Sequence, residues 1–336
     1  MPARQFLPPP PVLGPARPSA SASGVDVCLL DARRGADFPC QQMSAAAAHI
    51  ASWSHACTQP LRVHLLMHNL SDGPPVWHDG IEQHAISLPA AVGDAHARIA
   101  RLGVGSGTHS LWKPFLPWLL PSVQRCIIVD LDVVFMASPC KLADDFFGNT
   151  SHIEAISWVE DVVLQQIYSR HQVRLNGGVV AMDLTRLRAS ATYLPALARV
   201  NRSIGTLGDQ TLYARLGVVH PELFRRLPCG LNRQLNTHYP VEHSRYVCSS
   251  CEVLHFNGVR VKSLAYAMQS GMQQRRGEPA CATLRSIYNS MSEAQRYVFL
   301  YTVGDGSCCR IRMKGPVGPP PRLRPLPSHF ALSAKR

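Results

Sequence analysis

The ten residues from Cys126 to Phe135 constrain the fold more than any other part of the sequence. They read C-I-I-V-D-L-D-V-V-F, and apart from the two acids they form the short, mostly β-branched apolar run of a strand that is covered on both faces. We therefore predict one buried strand that carries Asp130 and Asp132. Because alternate residues of a strand project to the same side, both carboxylates should face one way. Two like charges in an apolar setting repel each other and lose hydration, so they need a cation or strong donors nearby.

The two acids can be explained by a metal or by ordinary structure. Carboxylate oxygens suit Mg²⁺ or Mn²⁺, and such an ion usually completes its coordination with substrate phosphates. Alternatively, the acids could cap the next turn or pair with lysines. Acids inside an apolar strand, rather than in a polar loop, favour a metal that bridges the protein to a diphosphate.

The flanking sequence predicts an α/β fold with a parallel sheet. Strands are expected at Val25–Asp31 and Leu61–His68, with a helix over Gln41–Ala56 between them, and this order gives a right-handed crossover. The remaining predicted strands are Ala85–Leu88, Ala155–Val159, Leu175–Met182 and Val253–Phe256. The remaining predicted helices are Cys140–Phe147, Asp161–Ser169, Asp183 to about Ala198, Asp209–Leu216 and Cys281–Tyr301.

Composition divides the chain into three parts. Residues 1–23 are rich in Pro, Ala and Ser, and residues 304–336 are rich in Pro, Gly and Arg. Neither segment has enough apolar side chains to bury a core, so both are predicted to be disordered. A single folded domain is therefore expected over residues 24–303.

Charge and cysteine content bear on partners and compartment. The net charge of +12 suits anionic ligands, but it is dispersed and lacks the basic and aromatic pattern of nucleic-acid-binding proteins, so we predict no nucleic-acid partner. Eleven cysteines and the N-x-S/T sites at Asn69, Asn149 and Asn201 indicate the secretory pathway, in the endoplasmic reticulum or Golgi lumen. No signal peptide or membrane anchor is visible in the sequence.

The pair Cys248-x-x-Cys251 could suggest a zinc site. No second cysteine pair follows at zinc-binding spacing, so a structural zinc is not expected there. We predict instead a disulfide that involves Cys229, Cys248 or Cys251.

Two further motifs carry polar residues at the boundaries of predicted elements. Asn176-Gly177-Gly178 begins an apolar strand, and its paired glycines allow either a close backbone approach to a ligand or a tight turn. Asp209 begins a predicted helix, where it could simply be the N-cap residue. Gln210 has no such structural role and could hydrogen-bond a sugar.

A third motif, His255-Phe256-Asn257-Gly258 followed by Lys262, combines groups that suit a metal-bound phosphate. A neutral imidazole can coordinate Mn²⁺, glycine admits a phosphate to the backbone, and lysine neutralises its charge. A polar loop is the structural alternative.

The order of these motifs resembles glycosyltransferase family 8. The D-x-D stretch is followed by N-G-G-V, G-D-Q and H-F-N-G with a later lysine, and the likeness extends over residues 108–262. The segments Leu207–Phe224 and Cys229–Leu235 are similar to the G-D-Q…G-x-x-H-P-E-L-F…C-x-W-N-R-Q-L stretch of the xyloside xylosyltransferases in that family. The resemblance implies a GT-A type, Rossmann-like domain with a mixed, mostly parallel sheet, a UDP-sugar donor and Mn²⁺ as cofactor.

The resemblance also implies a role for each motif residue. The metal ligands would be Asp130, Asp132 and His255. Gly258 and Lys262 would bind the diphosphate, and Asn176, Gly177 and Gly178 match the family's N-S-G, with Gly177 in place of Ser. The residues at the donor sugar and its anomeric carbon would be Asp209 and Gln210, and those facing the acceptor would be Asn232 and Gln234.

The implied reaction is the transfer of a sugar, xylose from UDP-xylose, onto a xyloside-type O-glycan with retention at the anomeric carbon. The leaving phosphate would help to deprotonate the acceptor hydroxyl. Two alternatives stay open at the level of sequence. The chain could be another family 8 hexosyltransferase that uses UDP-glucose or UDP-galactose, or a non-catalytic relative that binds nucleotide sugars or glycans.

Overall fold

The computed structural model describes residues 24–31, 40–67, 79–102, 110–148, 154–160, 175–200, 208–234, 250–257 and 262–274, and single positions at 282, 286 and 289. The predicted leader and tail and the helix at Asp161–Ser169 lie outside the described residues, as does almost all of the helix at Cys281–Tyr301. The three N-x-S/T asparagines, Cys248 and Gly258 also lie outside them.

A seven-stranded sheet forms the centre of the molecule, in the order β3-β2-β1-β4-β7-β6-β8. Its strands are β1 (Val25–Asp31), β2 (Leu61–Met67), β3 (Ile81–Ala85), β4 (Arg125–Val129), β6 (Ile156–Glu160), β7 (Leu175–Asp183) and β8 (Phe224–Arg226). Strand β7 pairs antiparallel with β4 and β6, whereas the other neighbours in the sheet pair in parallel. A smaller sheet contains β5 (Val133–Phe135), β10 (Val253–His255) and β9 (Arg233–Gln234), in that order. The predicted α/β fold with a mixed, mostly parallel sheet is confirmed.

Two of the predicted helices end early or divide in two in the structure. The helices are α1 (Cys40–Ala51), α2 (Ala90–Leu102), α3 (Leu116–Leu119), α4 (Pro139–Phe147), α5 (Leu184–Ala189), α6 (Tyr193–Ala198), α7 (Asp209–Val219) and α8 (Lys262–Gln274). The predicted helix at Gln41–Ala56 ends as a 3₁₀ turn over Ser52–Ala56. The single helix predicted from Asp183 to about Ala198 is divided into α5 and α6. The Ser190 hydroxyl, between them, accepts from the backbone N–H of Tyr193 at 3.1 Å, at the start of α6.

Side chains of the central strands alternate between two cores, one on each face of the sheet. On β1 and β4, Cys28 and Ile128 lie in one core, and Val27 and Ile127 lie in the other. Strands that are apolar on both faces must be covered on both faces, which explains why β1, β2 and β7 are recognisable as continuous apolar runs. The first strand has the predicted bounds, Val25–Asp31.

The third strand differs from the prediction. It comprises Ile81–Ala85 rather than Ala85–Leu88, and it pairs in parallel with β2 at the edge of the sheet. Its residues are half-buried or exposed, so it lacks the apolar run of a central strand. After it, the Ile86 N–H donates to the carbonyl of Met67 at 2.8 Å, and the chain then enters α2.

Covalent cross-links tie the sheet to its surroundings. Disulfides join Cys28 to Cys126, between β1 and β4, and Cys57 to Cys140. Cys229 and Cys251 are also disulfide-bonded, as predicted for that region. Among the described residues, none of the helices has the length and hydropathy needed to cross a bilayer.

Candidate active site

The D-x-D segment is a turn, and the prediction that it lies inside one strand is wrong. Strand β4 ends at Val129, the chain turns through Leu131 and Asp132, and β5 begins at Val133 in the other sheet. The turn is closed by the N–H of Val133, which donates to the Asp130 carbonyl at 3.2 Å. Its position is set by the N–H of Asp130, which donates to the Gly178 carbonyl at 2.9 Å. The two carboxylates therefore approach each other across a turn at the carboxyl end of a parallel strand, where α/β folds place their ligands.

His255 completes a cluster with the two acids. It is the last residue of β10, which pairs with β5, so the register sets His255 opposite Val133, the residue after Asp132. Its Nε2 lies 3.4 Å from Asp132 Oδ1 and 3.9 Å from Asp130 Oδ2. Asp132 and His255 are buried, whereas the Asp130 side chain is 39% exposed and so faces solvent.

A chain of buried amides orients the His255 ring. His255 Nδ1 lies 3.2 Å from Asn232 Oδ1, and Asn232 Nδ2 donates to Asn176 Oδ1 at 2.9 Å. The same Asn176 oxygen accepts from the Gly178 N–H at 3.0 Å. Because the amide oxygen of Asn232 can only accept, the proton lies on Nδ1 of His255, and the lone pair of Nε2 points at the carboxylates.

This cluster fits a divalent metal of the Mn²⁺ or Mg²⁺ type. Octahedral coordination with bonds of about 2.1 Å separates adjacent ligand atoms by about 3 Å. The distances of 3.4 and 3.9 Å from His255 Nε2 to Asp132 and Asp130 exceed that spacing, so the ligands would move closer together around an ion. Ligands from Asp130, Asp132 and His255 all lie within 4.8 Å of one another. The hydrogen bond on the far nitrogen of His255 is the arrangement that metal-bound histidines use.

Lys113 links the metal cluster to the next part of the site. Its buried ammonium donates to Asp130 Oδ1 at 2.7 Å and to the Gly177 carbonyl at 2.6 Å, and it lies 3.5 Å from Asp209 Oδ2. Burial disfavours the charged amine, but the carboxylates of Asp130 and Asp209 outweigh it and raise the pKa of Lys113. Lys113 is therefore a fixed positive charge between two acids.

Asp209 is not the N-cap of its helix. Gly208 occupies that position with φ of 54° and has no side chain with which to cap the helix. The Asp209 carboxylate is instead buried beside Lys113, where its Oδ2 makes no hydrogen bond with any described residue. Burial raises the pKa of Asp209, and Lys113 opposes that shift. A buried carboxylate that pairs with a buried lysine requires a reason other than capping.

The two glycines of the N-G-G motif make room for these side chains. A Cβ at Gly178 would overlap the imidazole of His255, and a Cβ at Gly177 would lie 2.6 Å from Asp209 Oδ2. Both glycines therefore allow a close approach to the backbone, while the approach of a ligand that the sequence suggested stays a prediction. The approaching groups are site side chains.

The remaining predicted site residues are Gln210, Asn232, Gln234 and Lys262. Gln210 is half-buried on the first turn of α7, next to Asp209. Asn232 is buried with both amide atoms in contact with other site residues, and Gln234 Nε2 donates to the Glu160 carbonyl at 2.9 Å. Lys262 begins α8. Roles of these residues with donor or acceptor stay predictions.

Sequence reasoning missed three residues of the site. Besides Lys113, Ser110 Oγ accepts from the Asp209 N–H at 3.3 Å. Gln269 of α8 donates from Nε2 to the carbonyls of Leu131 and Val133, both at 2.9 Å, and so holds the turn. Of these three residues, only Lys113 could have been recognised in the sequence, because it lies in the apolar segment L-W-K-P-F and a buried lysine is almost always paired with an acid.

Comparison with known proteins places this site in a family context. No family model matches the chain. Over 176 residues it is 31% identical to human "Xylosyl- and glucuronyltransferase LARGE2", a match that covers 47% of this chain and 24% of that one. Over 70 residues it is 39% identical to mouse "Xyloside xylosyltransferase 1", with 18% of each chain covered. The chain thus spans about a quarter of the length of the LARGE2 relative.

Two solved structures share the fold. Apo mouse xyloside xylosyltransferase 1 aligns with a TM-score of 0.50 at 17% identity, over 70% of this chain and 98% of that one. The apo bifunctional glycosyltransferase WbbM aligns with a TM-score of 0.52 at 10% identity, over 82% of this chain and 52% of that one. The chain has the GT-A fold and is similar, over part of its length, to the xylosyltransferases of glycosyltransferase family 8.

Proposed function

We propose that this chain transfers xylose from UDP-xylose to a xyloside-type O-glycan, with retention at the anomeric carbon and with Mn²⁺ as its cofactor. The observation that carries the proposal is the cluster of Asp130, Asp132 and His255 joined through Lys113 to Asp209. A metal-ligand set and a buried acid in one connected network are what a diphosphate-sugar donor requires. The names of the relatives supply the xylosyl class of donor.

The three ligands and their supports would hold the donor diphosphate. When bound, Mn²⁺ would offset the negative charge that grows on the departing UDP. Asn232 positions the imidazole of His255 from behind, so its contribution is to metal binding as well as to the predicted acceptor site. Lys113 keeps one oxygen of Asp130 occupied and leaves the other facing His255.

The diphosphate would also contact the start of α8. That helix begins at Lys262 and is fixed to the D-x-D turn through Gln269. The partial positive charge of its N-terminus would therefore attract the phosphates together with the charge of Lys262. Gly258, four residues earlier, is the position at which a phosphate would approach the backbone.

Asp209 and Gln210 would act on the transferred sugar. Positive charge develops at the anomeric carbon as the bond to UDP breaks, and a buried carboxylate stabilises such charge more strongly than an exposed one. Asp209 Oδ2, which is ion-paired with Lys113 but accepts no hydrogen bond from a described residue, would take this role or accept from a sugar hydroxyl. Asn232 and Gln234 remain our candidates for contact with the acceptor.

We further propose that a single catalytic domain spans residues 24–303 and works in the lumen of the endoplasmic reticulum or Golgi. The disulfides that join Cys28 to Cys126 and Cys57 to Cys140 support an oxidising compartment. The UDP-sugar donor and a glycan or glycoprotein acceptor would be the partners, with no nucleic acid.

A donor screen tests the function. The protein is incubated with Mn²⁺ and UDP-xylose, UDP-glucuronate, UDP-glucose or UDP-galactose in turn, with a β-xyloside acceptor, and UDP release and the linkage of the product are measured. We expect release with UDP-xylose and an α-linked product. Release with a different UDP-sugar alone would replace the donor assignment, and no release with any of them would favour a binding protein.

A variant pair locates the chemistry. Asp209→Asn should abolish transfer while UDP affinity changes little, because its contacts strengthen only as the anomeric carbon gains charge. Asp94→Asn, an exposed acid on α2, is the matched control and should retain full activity. Full transfer by a folded Asp209→Asn enzyme would move the sugar site elsewhere.

A further inference from the structure

A second group of side chains that could hold a metal lies on β2 and β3, at one edge of the central sheet. His64 of β2 is paired in register with Glu82 of the neighbouring strand β3, and His84 lies two residues further along β3 on the same face. The Nδ1 of His64 lies 2.9 Å from His84 Nε2 and 3.5 Å from Glu82 Oε2, and the last two atoms are 3.6 Å apart. Three ligand atoms thus form a nearly equilateral triangle.

The size of the triangle suits tetrahedral zinc. Bonds of about 2.0–2.2 Å to nitrogen and oxygen place neighbouring tetrahedral ligand atoms about 3.3–3.5 Å apart. Both distances that involve Glu82 are within about 0.3 Å of that range, and the His64–His84 distance needs to lengthen by about half an ångström. His84 and Glu82 are 28% and 50% exposed, so an ion and a water molecule as fourth ligand can enter from solvent.

A buried carboxylate orients the first of these histidines. His64 Nε2 lies 2.8 Å from Asp26 Oδ1, and Arg62 donates to both oxygens of Asp26 at 2.6 and 2.9 Å. Because an ionised carboxylate can only accept, the proton is on Nε2 of His64, and its Nδ1 presents a lone pair to His84 and Glu82. A carboxylate behind a histidine is the usual support of a zinc ligand.

We propose that His64, Glu82 and His84 form a divalent metal site of the zinc class, which clamps the edge strand β3 to β2. The site is separate from the cluster at Asp130. Strand β2 is two strands away from β4, a lateral distance of about 10 Å. Zinc here would have a structural role, and UDP-sugar binding does not depend on it.

Zinc binding is measured by calorimetry on purified full-length chain with disulfides intact, free thiols alkylated and any affinity tag removed. All variants carry Asp132→Asn, which weakens the other metal site. In that background we compare His84→Gln and Glu82→Gln with His55→Gln, an exposed histidine outside the cluster. Tetrahedral Co²⁺ absorption and the melting temperature with and without Zn²⁺ are recorded for each protein.

One Zn²⁺ per chain should bind the parent and the His55→Gln control equally, and affinity should fall at least about tenfold in both cluster variants. Zn²⁺ should raise the melting temperature only where the cluster is intact, because it binds the folded state alone. Should His84→Gln fail to fold, the exposed Glu82→Gln decides the result. Equal zinc affinity in all variants, or no tetrahedral Co²⁺ spectrum in the parent, would mean that the two histidines form only a hydrogen bond, and the proposal fails.

Discussion

Replacement of Lys113 by methionine tests whether its ammonium holds the active site together. Methionine keeps the length of the apolar stem but removes the charge and all three donors. Asp209 would then be a carboxylate with 5% of its side chain exposed and no cation beside it, whereas Asp130, at 39%, can turn to water. The two acids should therefore contribute unequally to the loss of stability.

The magnitude follows from that difference in burial. Removal of one partner from a buried pair costs about 3–5 kcal/mol, while a pair that is well exposed contributes about 0–1 kcal/mol. We assign the larger figure to the contact with Asp209 and expect Lys113→Met to lower the free energy of unfolding by about 3–5 kcal/mol. Lys141→Met, an exposed lysine on α4, should change it by less than about 0.5 kcal/mol.

Denaturant unfolding followed by circular dichroism, with the disulfides intact, gives these free energies. The double variant Lys113→Met/Asp209→Asn removes both charges and should recover part of the loss, with a coupling of about 0.5–3 kcal/mol. If Lys113→Met costs less than about 1 kcal/mol, or if the effects at the two positions simply add, the charged network does not stabilise the site and our argument is refuted.

Three further predictions test other parts of the structure. Asp132→Asn should abolish the Mn²⁺ dependence of UDP binding in calorimetry without loss of fold; unchanged dependence would contradict the metal assignment. Gly178→Ala should displace the His255 ring and weaken Mn²⁺ binding by about tenfold or more, whereas Gly93→Ala, whose Cβ would make an ordinary contact of 4.0 Å with Leu88 Cβ, should not. Burial lowers the pKa of His49 to about 4, so the unfolded chain takes up its proton first as the pH falls. Stability should therefore decline between about pH 6.5 and 4, by up to about 3 kcal/mol, and denaturation of His49→Gln across that range should show a shallower decline.

The sequence predicts those elements whose structure depends on neighbouring residues or on burial of both faces of a strand. Strands β1, β2 and β7 are visible because most of their side chains are apolar, and the two-acid motif points to a candidate metal site without any knowledge of the turn. The edge strand β3 was placed four residues late because I-E-Q-H-A has no continuous apolar run. The helices α2 and α8 were not predicted at all.

Long-range contacts explain the main error at the site. Cys126–Phe135 has strand propensity throughout, but the chain leaves the sheet at Asp130 because the Gly178 carbonyl and the Gln269 side chain bind the turn. Both partners are distant in sequence, so no local pattern encodes them. Lys113 was missed for the same reason, since its partners become evident only in three dimensions.

The two cross-links have a mechanical consequence. The loops they close overlap in sequence, from Cys28 to Cys126 and from Cys57 to Cys140, with separations of 98 and 83 residues. A chain pulled from its ends would pass from Cys28 straight to Cys126, so the residues between them could not extend. At about 3.3–3.6 Å per residue, on the order of 330 Å of contour length stays hidden until a reductant is added. Asp130 and Asp132 follow Cys126 directly, so force could extend the turn that carries them while the strands β1 and β2 stay behind the closed cross-link.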